Sequence, residues 1–317
     1  MFAAIERTRP RGGLEESLIR PKLSAWLPGV LATAAIVGVS GAGASAPPEP
    51  SATETGRLVA RYAGETDSPL AYYEYLPPSD GSGEPSPLLV FLHGLDASGD
   101  GSEAELGSVL ADGIPNLLET GQWPSERPFV VLAPQHAWPV NEGLYAPCFE
   151  GPFPGDCALP IQVEQGHPED NSLCHTPAAV HAFIEYALDT YDVDPDRVYL
   201  TGLSCGGFAT FEYVAAYGAT QIAAAVPIAG EGRLAWERVQ CDLGKVPIWA
   251  FHGDDDVEVN PAGSITTMTN LASCPSAAEN QLTIYPGVDH NSWTRTYDLS
   301  AGNDIYAWLL EHERPHP

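Results

Sequence analysis

Basic residues are scarce in this sequence. Only 14 of its 317 residues are Lys or Arg, against 42 Asp and Glu, and the net charge is −28. Five of the 14 (Arg7, Arg9, Arg11, Arg20 and Lys22) precede residue 25 together with three acids, so the remainder carries 9 basic and 39 acidic residues, a net of −30. Such a surface repels nucleic acid and anionic membranes and favours solubility. Neither a nucleic acid nor a stable membrane partner is expected. Long apolar runs are lacking too: the stretch Ala25 to Val39 contains Pro28 and falls short of the ~20 residues a spanning helix needs. There is no internal repeat and no second domain boundary. No usual zinc spacing occurs either; His167, Cys174 and His175 come nearest, and disulfide use of Cys174 accounts for that cluster better. No metal and no cofactor is expected.

A chain of this length with 44% hydrophobic residues can bury a sizeable core as one large α/β domain. At its start, basic residues up to Lys22, the apolar stretch, and Gly41-Ala42-Gly43-Ala44-Ser45-Ala46 follow in the order of a secretory signal, with A-x-A sites ending at Ala44 or Ala46. An uncleaved anchor is the alternative. We therefore expect residues 1–46 to be a signal, 47–56 a flexible leader, and 57–314 a catalytic domain of a secreted or periplasmic protein. Six cysteines in an exported chain suggest disulfides, although pairing is not legible: Cys148, Cys157 and Cys174 share one irregular region, while Cys241 and Cys274 flank a predicted strand.

Leu58 to Tyr62 and Leu70 to Leu76 read as an edge hairpin, and Leu88 to Leu92, Phe129 to Ala133 and Val198 to Thr201 as strands buried on both faces. Further strands are predicted at Ile222 to Ile228, Val246 to Phe251 and Gln281 to Tyr285. Residues 103–120 read as mainly helical with a break near Pro115. Helices are also predicted over Pro177 to Tyr191, with Thr176 as N-cap, and over Pro261 to Leu271 and Asp304 to Glu311. Residues 134–176 have no clear period and form an ordered insertion. Strands alternating with helices imply a mostly parallel, doubly wound sheet, here with an N-terminal antiparallel edge.

In such a sheet, functional groups sit on loops beyond the carboxyl ends of the strands. Gly202-Leu203-Ser204-Cys205-Gly206 turns sharply between a strand and a helix, as a nucleophile elbow requires. A serine hydroxyl is a poor nucleophile until an imidazole takes its proton, and the imidazole needs a carboxylate to hold its tautomer. Loops after the next strands supply both, in His252-Gly253-Asp254-Asp255-Asp256 and in Asp289-His290. Ser204, Asp256 and His290 are the candidates. The oxyanion would be met by the backbone N–H groups of Leu95, after His93-Gly94, and Cys205. Cys205 itself is expected to be a small buried thiol and not a nucleophile.

Tyr73-Glu74-Tyr75-Leu76-Pro77, Phe91-Leu92-His93-Gly94, Asp194 through Ser204, Phe251 through Asp256, and Tyr285-Pro286-Gly287 through His290 and Trp293 resemble the α/β-hydrolase superfamily. The similarity is to secreted bacterial carboxylesterases related to dienelactone hydrolases, feruloyl esterases and polyhydroxybutyrate depolymerases. The resemblance covers the chain from about Leu70 and implies a single-domain α/β-hydrolase fold with nucleophile, acid and base at Ser204, Asp256 and His290. Its H-G-x-x-D pattern places the acid at Asp256 and leaves Asp254 and Asp255 to turn and solvent roles. Two departures stand out: Cys205, where relatives often have Met, Ala or Gln, and the long, Cys- and Pro-rich insertion. The reading is a carboxylic-ester hydrolase acting on a small-molecule or polymer ester, with Trp138, Phe149 and Trp293 contacting substrate. The alternatives are a serine peptidase of the same fold and a non-catalytic polymer-binding protein on that scaffold.

Overall fold

The computed structural model describes residues 56–78, 83–137, 175–275 and 278–314. The expected signal, the leader up to residue 55 and most of the 134–176 insertion, including Trp138, Tyr145, Phe149 and Phe153, lie outside the described residues. Eight strands form one sheet: β1 Leu58–Arg61, β2 Tyr72–Tyr75, β3 Ser86–Leu92, β4 Val130–Pro134, β5 Val193–Leu203, β6 Ala224–Ile228, β7 Trp249–Gly253 and β8 Gln281–Tyr285. Their spatial order is β1-β2-β4-β3-β5-β6-β7-β8. The β1/β2 and β2/β4 pairs are antiparallel and all others parallel. This is the expected α/β fold with its antiparallel N-terminal edge.

The continuous apolar run of β3 is explained by its two buried faces. Leu89 and Phe91 enter one core while Leu88, Val90 and Leu92 enter the other, as the two-residue period of a strand demands. The first core is roofed by α1 (Gly113–Glu119), α6 (Trp293–Tyr297) and α7 (Ile305–Leu310), through Ile114, Tyr297 and Trp308. The second lies under α2 (Pro177–Thr190), α3 (Cys205–Tyr217), α4 (Arg233–Val239) and α5 (Ala262–Ala272), through Phe183, Phe211, Ala235 and Met268. Val180, Phe183, Ile184 and Ala187 of α2 are fully buried, and Thr176 caps the helix by accepting from the N–H of Ala179 at 3.3 Å, as its sequence indicates.

Some elements differ from the sequence reading. The break in residues 103–120 falls at Asp112 and Gly113, where the 3₁₀ turns Leu106–Ala111 give way to α1. Pro115 lies inside the first turn of α1, where a missing N–H is harmless. Strand β5 begins at Val193, upstream of the predicted Val198: Val193 pairs with Ser86, and a register shift before the Leu88–Val198 pair accommodates Asp194-Pro195-Asp196 as an irregularity within the strand. Helices α4 and α6 are too short, at 7 and 5 residues, to show a helical period.

Cys241 and Cys274 form a disulfide across 33 residues, joining the turn after α4 to the end of α5. Closing a loop of that size removes unfolded-state entropy equivalent to about 3–4 kcal/mol. A Cys241→Ala/Cys274→Ala variant should therefore keep the fold but unfold at clearly lower urea concentration. An unchanged midpoint would mean that strain in the bridge offsets this gain.

Candidate active site

Strand β5 runs into α3 through Ser204, whose φ of 51° and ψ of −118° place it in a region that residues with a Cβ rarely occupy. The turn closes only because its flanks lack side chains. A Cβ at Gly202 would sit 2.4 Å from the carbonyl oxygen of Gly206, and one at Gly206 would sit 2.0 Å from that of Leu92. The N–H of Ser204 donates to Ile228 O at 2.9 Å, tying the elbow to the end of β6.

Two further loops meet there. The N–H groups of Asp254 and Asp255 donate to Tyr285 O and Val288 O at 3.2 and 3.0 Å, and Asp254 Oδ1 accepts from the N–H of Gly287 at 2.6 Å. These bonds lay the loop after β7 against the loop after β8, which brings Asp256 to His290. Asp254 thus has the turn role expected of it, and Asp255 is exposed. His290 Nδ1 lies 2.7 Å from Asp256 Oδ2, and its Nε2 lies 2.9 Å from Ser204 Oγ. With the proton on Nδ1 donated to the carboxylate, Nε2 is free to accept from the hydroxyl.

Asp256 is buried, and its Oδ1 accepts from the N–H groups of Glu258 and Val259 at 2.9 and 2.8 Å. Burial alone would oppose ionisation. Hydrogen bonds from His252, His290 and Val259 N–H outweigh it and hold the carboxyl well below the usual carboxylate range. The His252 side chain of the same motif takes part, which its place in the sequence pattern does not indicate. Its Nε2 is 3.1 Å from Asp256 Oδ2.

Leu95 opens a 3₁₀ turn directly after β3, and Cys205 is the first residue of α3. A Cβ at Gly94 would lie 3.8 Å from Ser204 Cβ, so the chain leading to Leu95 passes beside the nucleophile. Cys205 corrects the expectation of a free thiol: it is disulfide-bonded, to a cysteine outside the described residues. Pairing with a distant partner leaves no trace in the local sequence. Trp293 is only 9% exposed. Its indole N–H donates to Asp112 Oδ1 at 2.9 Å, and its ring stands edge-on to His290 with centroids 5.0 Å apart. It packs against the imidazole and offers little surface to a substrate. Trp138 and Phe149 fall outside the described residues.

A profile of the Dienelactone hydrolase family matches residues 169–308, the span that contains all three candidate residues. Similar solved structures include a thermostable esterase, 26% identical, with 83% of this chain and 64% of the esterase covered and a TM-score of 0.56. The chain has an α/β-hydrolase fold. A putative dienelactone hydrolase from Klebsiella pneumoniae subsp. pneumoniae MGH 78578 is 15% identical over 80% of this chain and 98% of its own, at a TM-score of 0.52. TT1662 from Thermus thermophilus is 19% identical over 80% and 98%, at 0.50. These two likenesses concern the fold alone. The chain spans a little under two thirds of the thermostable esterase. None of the curated proteins matches its sequence.

Behind the Leu95 loop lie three buried histidines from three segments. His93 donates from Nδ1 to Gly94 O at 2.7 Å and accepts at Nε2 from the N–H of His136 at 3.0 Å. His175 donates from Nε2 to His93 O at 2.9 Å. The ring centroids of His175 lie 4.4 and 4.0 Å from those of His93 and His136. No group of three or more His, Cys, Asp or Glu among the described residues is disposed to hold a metal ion. Gln135, also buried, staples the same loop: its Nε2 lies 2.9 Å from both Ala97 O and Glu105 O, and its Oε1 accepts from Gly101 N–H at 3.0 Å. Neither set was found by sequence reasoning. The available signal was a polar residue directly after two of the buried strands, His93 after β3 and Gln135 after β4.

Burial pushes His93 down to about 4, against its bond to Gly94, and pushes His136 down to about 3 with help from the nearby His93. The unfolded histidines take up protons near pH 6.5, so from pH 6.5 down to about 4 for His93 and about 3 for His136 the unfolded chain binds more protons than the folded one. Stability is then lost as pH falls through that window. Urea midpoints taken from pH 7.5 to 3.5 should show this decline, and His136→Gln should make it shallower. The same slope in both proteins would place the acid sensitivity elsewhere.

Proposed function

We propose that this protein is a serine hydrolase that cleaves carboxylic esters through an acyl-enzyme on Ser204. The observation that carries the reading is the continuous chain Ser204 Oγ, His290 and Asp256, at 2.9 and 2.7 Å. As Oγ attacks the carbonyl carbon, its proton passes to His290 Nε2, and the buried carboxylate stabilises the imidazolium. The developing oxyanion is received by the N–H groups of Leu95 and Cys205. His290 then returns the proton to the departing alkoxide oxygen. Water attacks the acyl carbon in the second half, giving its proton to His290, and the acid leaves as Ser204 regains its hydrogen. Nothing in this sequence of steps calls for a metal or a cofactor.

Ser204→Ala should abolish both hydrolysis of a short p-nitrophenyl ester and covalent labelling by an organophosphonate. Asp256→Asn should lower turnover by about 10⁴, whereas Asp255→Asn changes it far less. Because the triad acts as a unit, Ser204→Ala and Ser204→Ala/His290→Ala should be equally inactive. Persistent labelling of Ser204→Ala would remove the serine from the mechanism, and faster turnover of peptide amides than of esters would reassign the substrate.

We further propose that the protein is exported and that the 134–176 insertion walls the substrate site. The basic, apolar and small-residue order of the N-terminus supports export, as do the Cys241–Cys274 bridge and the disulfide-bonded state of Cys205. The insertion leaves β4 at the sheet edge that carries Ser204, and the remaining cysteines of the sequence, Cys148, Cys157 and Cys174, all belong to it. A bond from Cys205 to that segment would fasten it beside the nucleophile. On this reading Trp138→Ala or Phe149→Ala weakens kcat/KM about tenfold for a bulky ester, the equivalent of ~1.4 kcal/mol of lost apolar contact. Acetyl ester hydrolysis should be nearly unchanged. Equal effects on both substrates would argue against it.

A further inference from the structure

His252 is a fully buried histidine on β7, outside the proposed triad, and every hydrogen-bonding atom of its ring is engaged. Its Nε2 lies 3.1 Å from Asp256 Oδ2 and 3.0 Å from Val259 O, two atoms that can only accept. Nε2 must therefore carry hydrogen and donate. Its Nδ1 lies 2.8 Å from Ser264 Oγ on α5, and that hydroxyl lies 3.1 Å from Gly230 O on the loop after β6. The ring is thus clamped from three directions, with its donor aimed at the same carboxylate oxygen that receives His290 Nδ1.

We propose that His252 is a positioning residue for the reaction, a second imidazole that fixes Asp256 Oδ2 and moderates the charge it offers to His290. The inference rests on the triad reading of the preceding section. Two donors converge on one oxygen, and each withdraws charge from it. Without His252, the full charge of Oδ2 faces His290, whose proton affinity rises. The carboxylate also loses the partner that sets its rotation, since Glu258 and Val259 N–H hold only Oδ1. Both changes act on the proton transfer and neither touches the substrate, so they fall on kcat and not on KM.

Other ionisable groups near the pair are accounted for. Asp254 is bonded to Gly287 N–H, Glu231 on the β6 loop is paired with Arg233 at 2.6 Å, and Asp112 is bonded to Trp293 behind His290. Asp289 and Asp255 are exposed. None of these contacts passes through His252, so they remain when it is replaced.

The test is the pH profile of ester hydrolysis in His252→Phe, His252→Gln and Ser264→Ala. Phe fills the volume without a donor, whereas the amide N–H of Gln can take the place of Nε2–H. His252→Phe should lower kcat about tenfold or more at constant KM and move the acid limb of kcat/KM upward by about half a unit. His252→Gln should return the limb toward its original position. Ser264→Ala, which removes the anchor of Nδ1 together with the contact to Gly230 O and leaves the Nε2 donor in place, should give a smaller shift in the same direction, and it serves if the Phe variant fails to fold. An acid limb unmoved in both His252→Phe and Ser264→Ala, or Gln as impaired as Phe, overturns the proposal. Ser204→Ala separates the two levels: full activity there would sink the triad reading, whereas an inactive Ser204→Ala with unmoved limbs sinks only the role of His252.

Discussion

At Ser204 the backbone is held in a region that costs a residue with a Cβ on the order of 1–3 kcal/mol, and the surrounding contacts show how that conformation is kept. Gly202 and Gly206 approach so closely that any side chain at either position would overlap a carbonyl group of the neighbouring backbone. Helix α3 is thereby pressed onto the ends of β3 and β5, and the hydroxyl is turned out at the sheet edge. The Ser204 N–H is satisfied by Ile228 O, so relaxing the angle would break a buried hydrogen bond as well as the packing. The other site groups are placed relative to this point, because β6, β7 and β8 are aligned in register beside β5.

The second constraint is electrostatic. An ionised carboxylate is strongly disfavoured by burial unless hydrogen bonds compensate it, and Asp256 has four donors within 3.1 Å: two imidazoles and two backbone N–H groups. Its charge is therefore stable where water cannot screen it. This low-screening setting is what lets one carboxylate govern the tautomer of His290. The three histidines behind the Leu95 loop follow the opposite logic. Burial holds all three well below the ordinary imidazole range, so they stay neutral and serve as directional donors and acceptors.

Much of this was legible in the sequence, for identifiable reasons. The elbow, the H-G-x-x-D loop and the loop carrying His290 are each local, within about ten residues, and their order along the chain matches the order of the strands. Helix α2 announced itself through four apolar residues on one face and Thr176-Pro177 at its start. What stayed hidden was long-range. The clamp of His252 joins β7 to α5 and to the loop after β6; Gln135 joins β4 to a 3₁₀ segment some 30 residues earlier; Cys205 pairs beyond its neighbourhood. Trp293 was legible as an aromatic near the base, but its direction was set by Asp112, far away in the chain.

The loops that carry the site contain little regular structure, so precision has to come from elsewhere. Backbone hydrogen bonds between the β7 and β8 loops fix two strand ends to each other, and a Cβ at Gly253 would lie 2.1 Å from Val288 O. Side-chain staples from buried polar residues fix the Leu95 loop, and a covalent bond at Cys205 fixes the first residue of α3. These devices differ in what disturbs them. The close backbone contacts are insensitive to solution conditions, whereas the histidine staples weaken in acid and the covalent bond responds to reductant. Nucleophile and base depend on the first kind, and the Leu95 loop depends on the second. Acid should accordingly loosen the oxyanion side of the site before it separates Ser204 from His290.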